Sequence, residues 1–121
     1  MERGQLRLAS CMAHIARIRL YADEIATSDQ FVEKESGQLV FDAIMMRMQA
    51  LGENLKKFLN EHPELAEYGQ AHDWDLVIRF RDFVSHHYEL LNADIVFDAV
   101  KNFLPKLEAS IATLLDENQP C

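Results

Sequence analysis

The sequence predicts an all-α fold, an antiparallel bundle of four or five helices in one domain that covers residues 1–121. Apolar residues recur at three- and four-residue steps along four long segments, which is the pattern of amphipathic helices. Glycine (4 residues) and proline (3 residues) are scarce, whereas turn-rich β folds need many of both. A chain of 121 residues is long enough for one hydrophobic core and too short for two.

A first helix is expected from about Gln5 to Ala26 because one apolar stripe runs along this segment. The stripe contains Leu8, Met12, Ile15, Ile18, Ala22 and Ile25. The polar residues 27–30 compete for backbone hydrogen bonds and end the helical pattern. A polar connection is expected from Ser28 to Ser36, with Phe31 and Val32 as its apolar anchor.

A second helix is expected from about residue 36 or 38 to residue 60, where the apolar spacing is most regular. Its stripe contains Phe41, Ile44, Met48, Leu51, Leu55 and Phe58. Gly52 lies in the middle of this helix, where glycine costs about 1 kcal/mol relative to alanine, so we expect another backbone to approach closely there. For the neighbouring Glu53 two interpretations stay open: a surface carboxylate, or a buried partner for an arginine such as Arg81.

The chain is expected to break at His62 and Pro63, since the residue before a proline avoids helical geometry. One further turn is expected near residues 65–68, followed by a loop over residues 69–72. Asp73 can then cap the first turn of a third helix, which carries two apolar stripes and should be buried on more than one side. One stripe contains Trp74, Val77, Val84 and Tyr88, and the other contains Leu76, Phe80, Phe83 and Leu90.

The fourth helix is expected to begin after Asn92, a favourable cap, and to run to about Leu115. Pro105 should kink or split this last helix, because proline removes a backbone donor and crowds the preceding turn.

The two cysteines, Cys11 and Cys121, are too few for a disulfide framework or a zinc site, and Cys11 is expected in the core.

The formal net charge of −8 argues against broad, non-specific nucleic-acid binding, which needs a basic surface, but it leaves room for a local basic cleft. No run of about 18 apolar residues is present, so no membrane span is expected. The N-terminal residues lack the apolar centre of a signal peptide. We therefore expect a cytoplasmic protein.

The segment from Arg79 to Tyr88 concentrates the side chains that carry chemistry. Arg81 can bind a phosphate through two hydrogen bonds, and His86 can transfer a proton near neutral pH. These two residues are five positions apart, which on a regular helix means about 7.5 Å of rise and about 140° of rotation. They can converge through a loosened last turn, or across a two-fold dimer that also gathers Arg79 from both copies.

An arginine beside a histidine suits RNA cleavage without a metal. The ribose 2′-OH attacks the adjacent phosphate, the histidine exchanges protons with the reacting oxygens, and the arginine stabilises the growing negative charge. The spacing is equally consistent with a helix that has surface arginines and a histidine pair at its end.

The arrangement of Arg81, four residues, His86, one residue and Tyr88 resembles the signature of the HEPN superfamily, in its HepT-like toxin branch. Further similarities span most of the chain. They are Leu51-Gly52-Glu53 in the second helix, Trp74 with Ile78 before the motif, and residues 94–97 with Leu104-Pro105 in the last helix. The family usually has asparagine after the arginine, whereas this chain has Asp82, a carboxylate that can pair with Arg81 and weaken its hold on phosphate.

This resemblance implies a homodimeric bundle that cleaves RNA as a toxin, with Arg81 and His86 as the catalytic residues. It also implies a partner, a minimal nucleotidyltransferase antitoxin that neutralises the toxin by transferring AMP to Tyr88. Neither a metal nor a cofactor is implied. The predicted supporting residues are Asp82, Glu53, Arg79 and His87.

Two other interpretations are consistent with the same residues. The chain can be a non-catalytic helical module that binds a nucleotidyltransferase or a nucleotide through the same cleft. A metal site built from Glu53, His86 and His87 is the weaker interpretation, because the repeated Glu-x-x-His spacing of di-metal bundles is absent.

Overall fold

The computed structural model describes residues 2–117, apart from the side chains of Glu2, Ser85 and Tyr88. Its helices are α1 (Glu2–Ala22), α2 (Gln30–Glu33), α3 (Glu35–Glu61), α4 (Ala66–Ala71), α5 (Trp74–His87), α6 (Ala93–Asp98) and α7 (Leu104–Glu117). Single 3₁₀ turns at Pro63–Leu65 and Tyr88–Leu90 flank α4 and α5, and a π-helical segment, Ala99–Phe103, joins α6 to α7. The predicted all-α fold is confirmed.

The long helices run antiparallel to their neighbours. Arg7 near the start of α1 pairs with Glu61 at the end of α3, with 2.6 Å between Nε and Oε1. Further along α1, His14 Nδ1 lies 3.2 Å from an Arg47 nitrogen on the first half of α3. Lys101, just before α7, donates to the carbonyl of Ala22 at the end of α1 (3.3 Å). The helices therefore form an antiparallel bundle in which α3 packs against α1, α2 and α5.

The hydrophobic core lies between α1, α3, α5 and α7, as the apolar stripes of the sequence require. Its fully buried residues on the three longest stripes are Leu8, Cys11, Ile15, Ile18, Ile44, Leu51, Leu55, Phe58, Leu104, Leu107 and Ile111. Burial raises the pKa of the Cys11 thiol to about 12, so this side chain is an inert core residue, as predicted. Cys121 lies outside the described residues.

Helix α1 ends four residues earlier than the apolar stripe predicts. Its last residue is Ala22, and the chain then turns, with Gln30 Oε1 accepting a hydrogen bond from the backbone N–H of Ala26 (2.5 Å). Ile25 is nevertheless buried. The apolar pattern therefore predicted burial correctly at Ile25, while the turn at the end of α1 decided the backbone geometry. Of the predicted apolar anchor in the connection, Phe31 is buried and Val32 is exposed.

The loop predicted over residues 69–72 is wrong, because residues up to Ala71 complete α4. Gly69 is buried, and a Cβ there would lie 3.1 Å from a methyl group of Leu59 and 3.5 Å from the Trp74 ring. This glycine therefore serves close packing and not a turn. The chain reverses at Asp73, which has a positive φ of 59°, a conformation that aspartate tolerates better than most residues.

The last helix is irregular next to Pro105, as predicted. In regular α geometry the proline ring would press on the carbonyl of residue 101 and leave it without a donor. The chain avoids this conflict by adopting π geometry over the five residues Ala99–Phe103. At the other end, Asn92 caps α6, since its Oδ1 accepts from the N–H groups of Asp94 (2.8 Å) and Ile95 (3.3 Å).

The second apolar stripe of α5 is open to solvent in the single chain, so the prediction that this helix is buried on more than one side is wrong. Leu76 is 47% exposed, Phe83 40% and Leu90 71%, while Phe80 is partly buried. The opposite face of α5 packs against α3.

Among the described residues, no helix is both long and apolar enough to cross a membrane.

Helices α3 and α5 make their closest approach at Gly52, as expected from the sequence. A Cβ at this position would lie 2.8 Å from the Arg81 Cβ and 2.9 Å from the Val77 carbonyl oxygen. Contacts this short are not sustained by real Cβ atoms, and the second one is with backbone. The absence of a side chain at Gly52 therefore lets α5 place Arg81 directly on α3.

Replacing Gly52 by alanine should destabilise the protein. The gain in helix propensity is about 1 kcal/mol, and overpacking against the backbone of α5 costs about 1–3 kcal/mol. We expect a net loss of about 1 kcal/mol in the free energy of urea unfolding. Gly69→Ala is the matched control, because its neighbour is a flexible leucine methyl that can move, and it should change stability little. Equal stability of Gly52→Ala and the wild type would contradict the close crossing.

Candidate active site

Arg81 lies at the centre of α5, and its side chain starts at the crossing with α3. Its Nη2 atom lies 2.8 Å from Oε2 of Glu53, the residue that follows Gly52 on α3. This Oε2 atom is shielded from solvent and makes no hydrogen bond of good geometry among the described residues, so the contact is an ion pair between charges. Of the two interpretations of Glu53, the structure shows the contact with Arg81, but the Glu53 side chain is 35% exposed and therefore not fully buried.

The second carboxylate at Arg81 belongs to Asp82. Arg81 Nη1 donates a hydrogen bond to Asp82 Oδ1 at 2.7 Å. This hydrogen bond holds the pKa of the Asp82 carboxyl below its usual range, and the nearby charges of Lys56 and His86 act in the same direction. The same two carboxylates raise the pKa of the Arg81 guanidinium, Asp82 by its hydrogen bond and Glu53 by its charge. Asp82 is therefore ionised, and Arg81 charged, at neutral pH.

His86 lies one helical turn beyond Asp82, on the same side of α5. It is exposed, and its charge acts on the Asp82 carboxylate. The helix ends at His87, and the 3₁₀ turn Tyr88–Leu90 follows directly. A looser turn does follow α5, but Arg81 and His86 both lie in the α-helix before it, so this turn does not bring the two side chains together in the single chain. Asp82 thus contacts Arg81 directly, and His86 lies one turn further along the helix.

Two lysines complete the charged cluster, and the motif alone did not identify them. Lys57 Nζ lies 3.6 Å from Glu53 Oε1, a contact that the four-residue spacing on one helix allows. Lys56 acts on Asp82 across the crossing, and only the packing of α5 on α3 reveals this. Together the cluster has three cationic and two anionic side chains, a formal charge of +1 with neutral His86.

Other predicted residues lie around this cluster. Arg79 pairs with Asp75 (3.1 Å) and is 69% exposed, so in the single chain it faces away from Arg81. The His87 ring packs against Phe83, with 5.2 Å between ring centroids, and lies 6.5 Å from the His86 ring. The Tyr88 side chain lies outside the described part of the structure. The predicted roles of these three residues stay predictions.

Within the described part of the chain, no group of three or more histidine, cysteine, aspartate or glutamate side chains is arranged to hold a metal ion. The side chains gathered at the α3–α5 crossing are a guanidinium and two carboxylates, with an imidazole one turn further along α5. A guanidinium can neutralise a phosphate and an imidazole can exchange protons near neutral pH. Such a set suits phosphate-ester chemistry carried out by side chains alone.

The bundle and its Arg-His helix define the class of this protein. The chain belongs to the HepT-like ribonuclease family, because the family model "Ribonuclease HepT-like" matches residues 12–114. The matched region includes every predicted site residue. The resemblance to the HEPN superfamily expected from the motif is thereby confirmed.

One similar curated protein is MJ0127 of Methanocaldococcus jannaschii, which is described as a proposed RNase. The two sequences are 30% identical over 83 residues, which cover 65% of this chain and 60% of that protein. The chain thus spans less than two thirds of the length of this relative. No solved structure matches the chain.

Proposed function

We propose that this protein is a metal-independent endoribonuclease in which Arg81 binds and neutralises the scissile phosphate and His86 exchanges protons with the reacting oxygens. The observation that supports this proposal most directly is the placement of Arg81. Its guanidinium is held at the Gly52 crossing by Glu53 and Asp82, and His86 lies one turn beyond Asp82 on the same helix. Membership of the HepT-like ribonuclease family points to the same class of reaction.

In the proposed reaction the ribose 2′-oxygen attacks the adjacent phosphorus. The new bond between the 2′-oxygen and phosphorus forms as the bond from phosphorus to the 5′-oxygen breaks. The 2′-OH loses its proton and the departing 5′-oxygen gains one, and His86 exchanges protons with these oxygens. Arg81 stabilises the negative charge that grows on the phosphoryl oxygens. DNA lacks the 2′-OH and would not be cleaved.

The local charge supports an RNA contact on an otherwise acidic protein. The net charge is −8, yet the cluster of Arg81, Lys56 and Lys57 with Glu53 and Asp82 has a formal charge of +1. A small positive area favours contact with one or two phosphates and disfavours broad backbone binding. The proposed substrate contact is therefore short.

We also propose that the protein acts as a homodimer. The outer stripe of α5, formed by Leu76, Phe80, Phe83 and Leu90, leaves large apolar side chains exposed along the same helix that presents Arg81. A second copy packed on this stripe would bury those side chains, and two-fold dimers are the commonest way to do so. Such a dimer would bring two Arg-His segments close together.

The biological role that we propose is that of a toxin neutralised by an adjacent partner. The partner would be a minimal nucleotidyltransferase that transfers AMP to the Tyr88 hydroxyl. The added phosphate would place negative charge near His86 and repel the RNA backbone. The resemblance of the motif to HepT-like toxins supports this role.

One observation favours a second function, a non-catalytic module that binds a nucleotidyltransferase or a nucleotide. Both ends of the Arg81 guanidinium already face a carboxylate, Glu53 on one side and Asp82 on the other. An arginine so engaged suits a structural role. The two functions differ in outcome, because the binding module forms a complex with its partner and cuts no RNA.

Purified protein should cleave RNA in the presence of a chelator, and Arg81→Ala or His86→Ala should each reduce the rate by about 10²-fold or more. Cleavage is measured on a labelled oligoribonucleotide, with circular dichroism to check folding. The matched controls are Arg17→Ala and His72→Ala, which remove exposed residues of the same types. Equal cleavage by the wild type and both site variants would mean that a contaminant cuts the RNA.

The wild type should sediment as a dimer, and Phe83→Asp should shift it to a monomer because the charge would be buried in the proposed interface. Analytical ultracentrifugation measures the change. Leu6→Asp on α1, which places the same charge on a more exposed apolar position (68% against 40% for Phe83), should leave the dimer intact. A wild type that stays monomeric at micromolar concentration would rule out the dimer.

Co-expression with the neighbouring nucleotidyltransferase should add whole AMP units to the intact mass of the protein. Tyr88→Phe should lose the addition, since the acceptor hydroxyl is gone, while Tyr21→Phe should keep it. Modified wild type should also cut RNA more slowly than unmodified protein. An unchanged mass, or AMP that persists on Tyr88→Phe, would refute this mode of neutralisation.

A further inference from the structure

We propose that Asp82 is a positioning residue that competes with the substrate, because its carboxylate occupies one end of the Arg81 guanidinium and an RNA phosphate must displace it. The inference rests on the proposed function, in which Arg81 binds phosphate. It concerns Asp82 alone and carries its own test.

The two carboxylates at Arg81 are not equivalent. Glu53 approaches Nη2 from α3, its Oε2 is shielded from solvent, and Lys57 lies 3.6 Å from its other oxygen. Asp82 approaches Nη1 from the next position on α5, and its side chain is 51% exposed against 35% for Glu53. An incoming phosphate therefore meets Asp82 at the solvent-facing side of the guanidinium, while Glu53 stays behind and orients it.

A phosphate can displace the Asp82 carboxylate from Arg81 at a small cost in free energy. An exposed ion pair holds its partners only weakly, and losing one changes an equilibrium by about two- to fivefold. A phosphate can replace the carboxylate with paired hydrogen bonds to the same guanidinium. The released Asp82 still has Lys56 and His86 within electrostatic range, so its charge is not left without compensation.

Asp82 thus sets how readily Arg81 takes up RNA. Without substrate the guanidinium lies between the two carboxylates, each of which contacts one of its terminal nitrogens. With substrate, Asp82 moves from Arg81 toward His86, one turn further along α5. The carboxylate then faces the group that exchanges protons.

The test is equilibrium binding of a short RNA in which every ribose carries 2′-fluorine and cannot be cleaved, measured by fluorescence anisotropy. Asp82→Asn should bind about two- to fivefold more tightly than the wild type, and Asp82→Glu, which restores a carboxylate, should bind like the wild type. Arg81→Ala should weaken binding about tenfold or more. In the Arg81→Ala background, adding Asp82→Asn should give no further gain.

The control for net charge is Asp75→Asn. Asp75 lies two turns before Asp82 on the same side of α5 and pairs with an arginine, Arg79, at 3.1 Å. This variant removes the same charge and frees an arginine without touching Arg81, and it should increase affinity less than Asp82→Asn does.

The outcomes separate the inference from the proposed function. If Arg81→Ala weakens binding but Asp82→Asn binds no better than the wild type, the competition is overturned and the function stands. If Asp75→Asn gains as much as Asp82→Asn, the effect is one of net charge and the inference is also overturned. If Arg81→Ala binds as well as the wild type, both the inference and the RNA-binding role of Arg81 fail.

Discussion

The close crossing of α3 and α5 at Gly52 is the constraint on which the candidate site depends. A Cβ at Gly52 would lie within 3 Å of both the Arg81 side chain and the α5 backbone, so any larger residue would push α5 away. Because the two helices touch here, the next residue on α3, Glu53, reaches the Arg81 guanidinium directly. The position of Arg81 is thus fixed from two helices.

The charges around Arg81 form a small cationic area on an acidic protein, where the proposed phosphate contact would lie. Glu53 and Asp82 hold the guanidinium, and Lys56 and Lys57 lie next to these carboxylates. Such a network fixes orientation more than it attracts anions, since two carboxylates oppose three cations. In this arrangement the Arg81 guanidinium is oriented before any ligand binds. The positive charge is confined to a small area.

The cluster also shows why the Arg-His spacing alone is a weak guide. Arg81 and His86 point about 140° apart on an ideal helix, and between them Asp82 contacts Arg81 directly and lies one turn before His86. The outer stripe of α5 is a second case in which the sequence pattern alone misleads. Its apolar residues read as buried by pattern, yet in the single chain they face solvent, because the bundle covers only one side of α5.

Local sequence was enough to predict the helical class, the core stripes, the cap at Asn92, the irregularity near Pro105 and the close approach at Gly52. These features follow from local periodicity and from the backbone properties of single residues, which act within a few positions of the chain. It also determined the family, because the motif and its flanking residues are local too.

Which charges meet depends on how the helices pack against one another. The pairing of Glu53 with Arg81, and the influence of Lys56 on Asp82, connect residues about 28 positions apart, and their contact depends on how α3 and α5 pack. Local pattern carries no information about such partners, because they are brought together by packing.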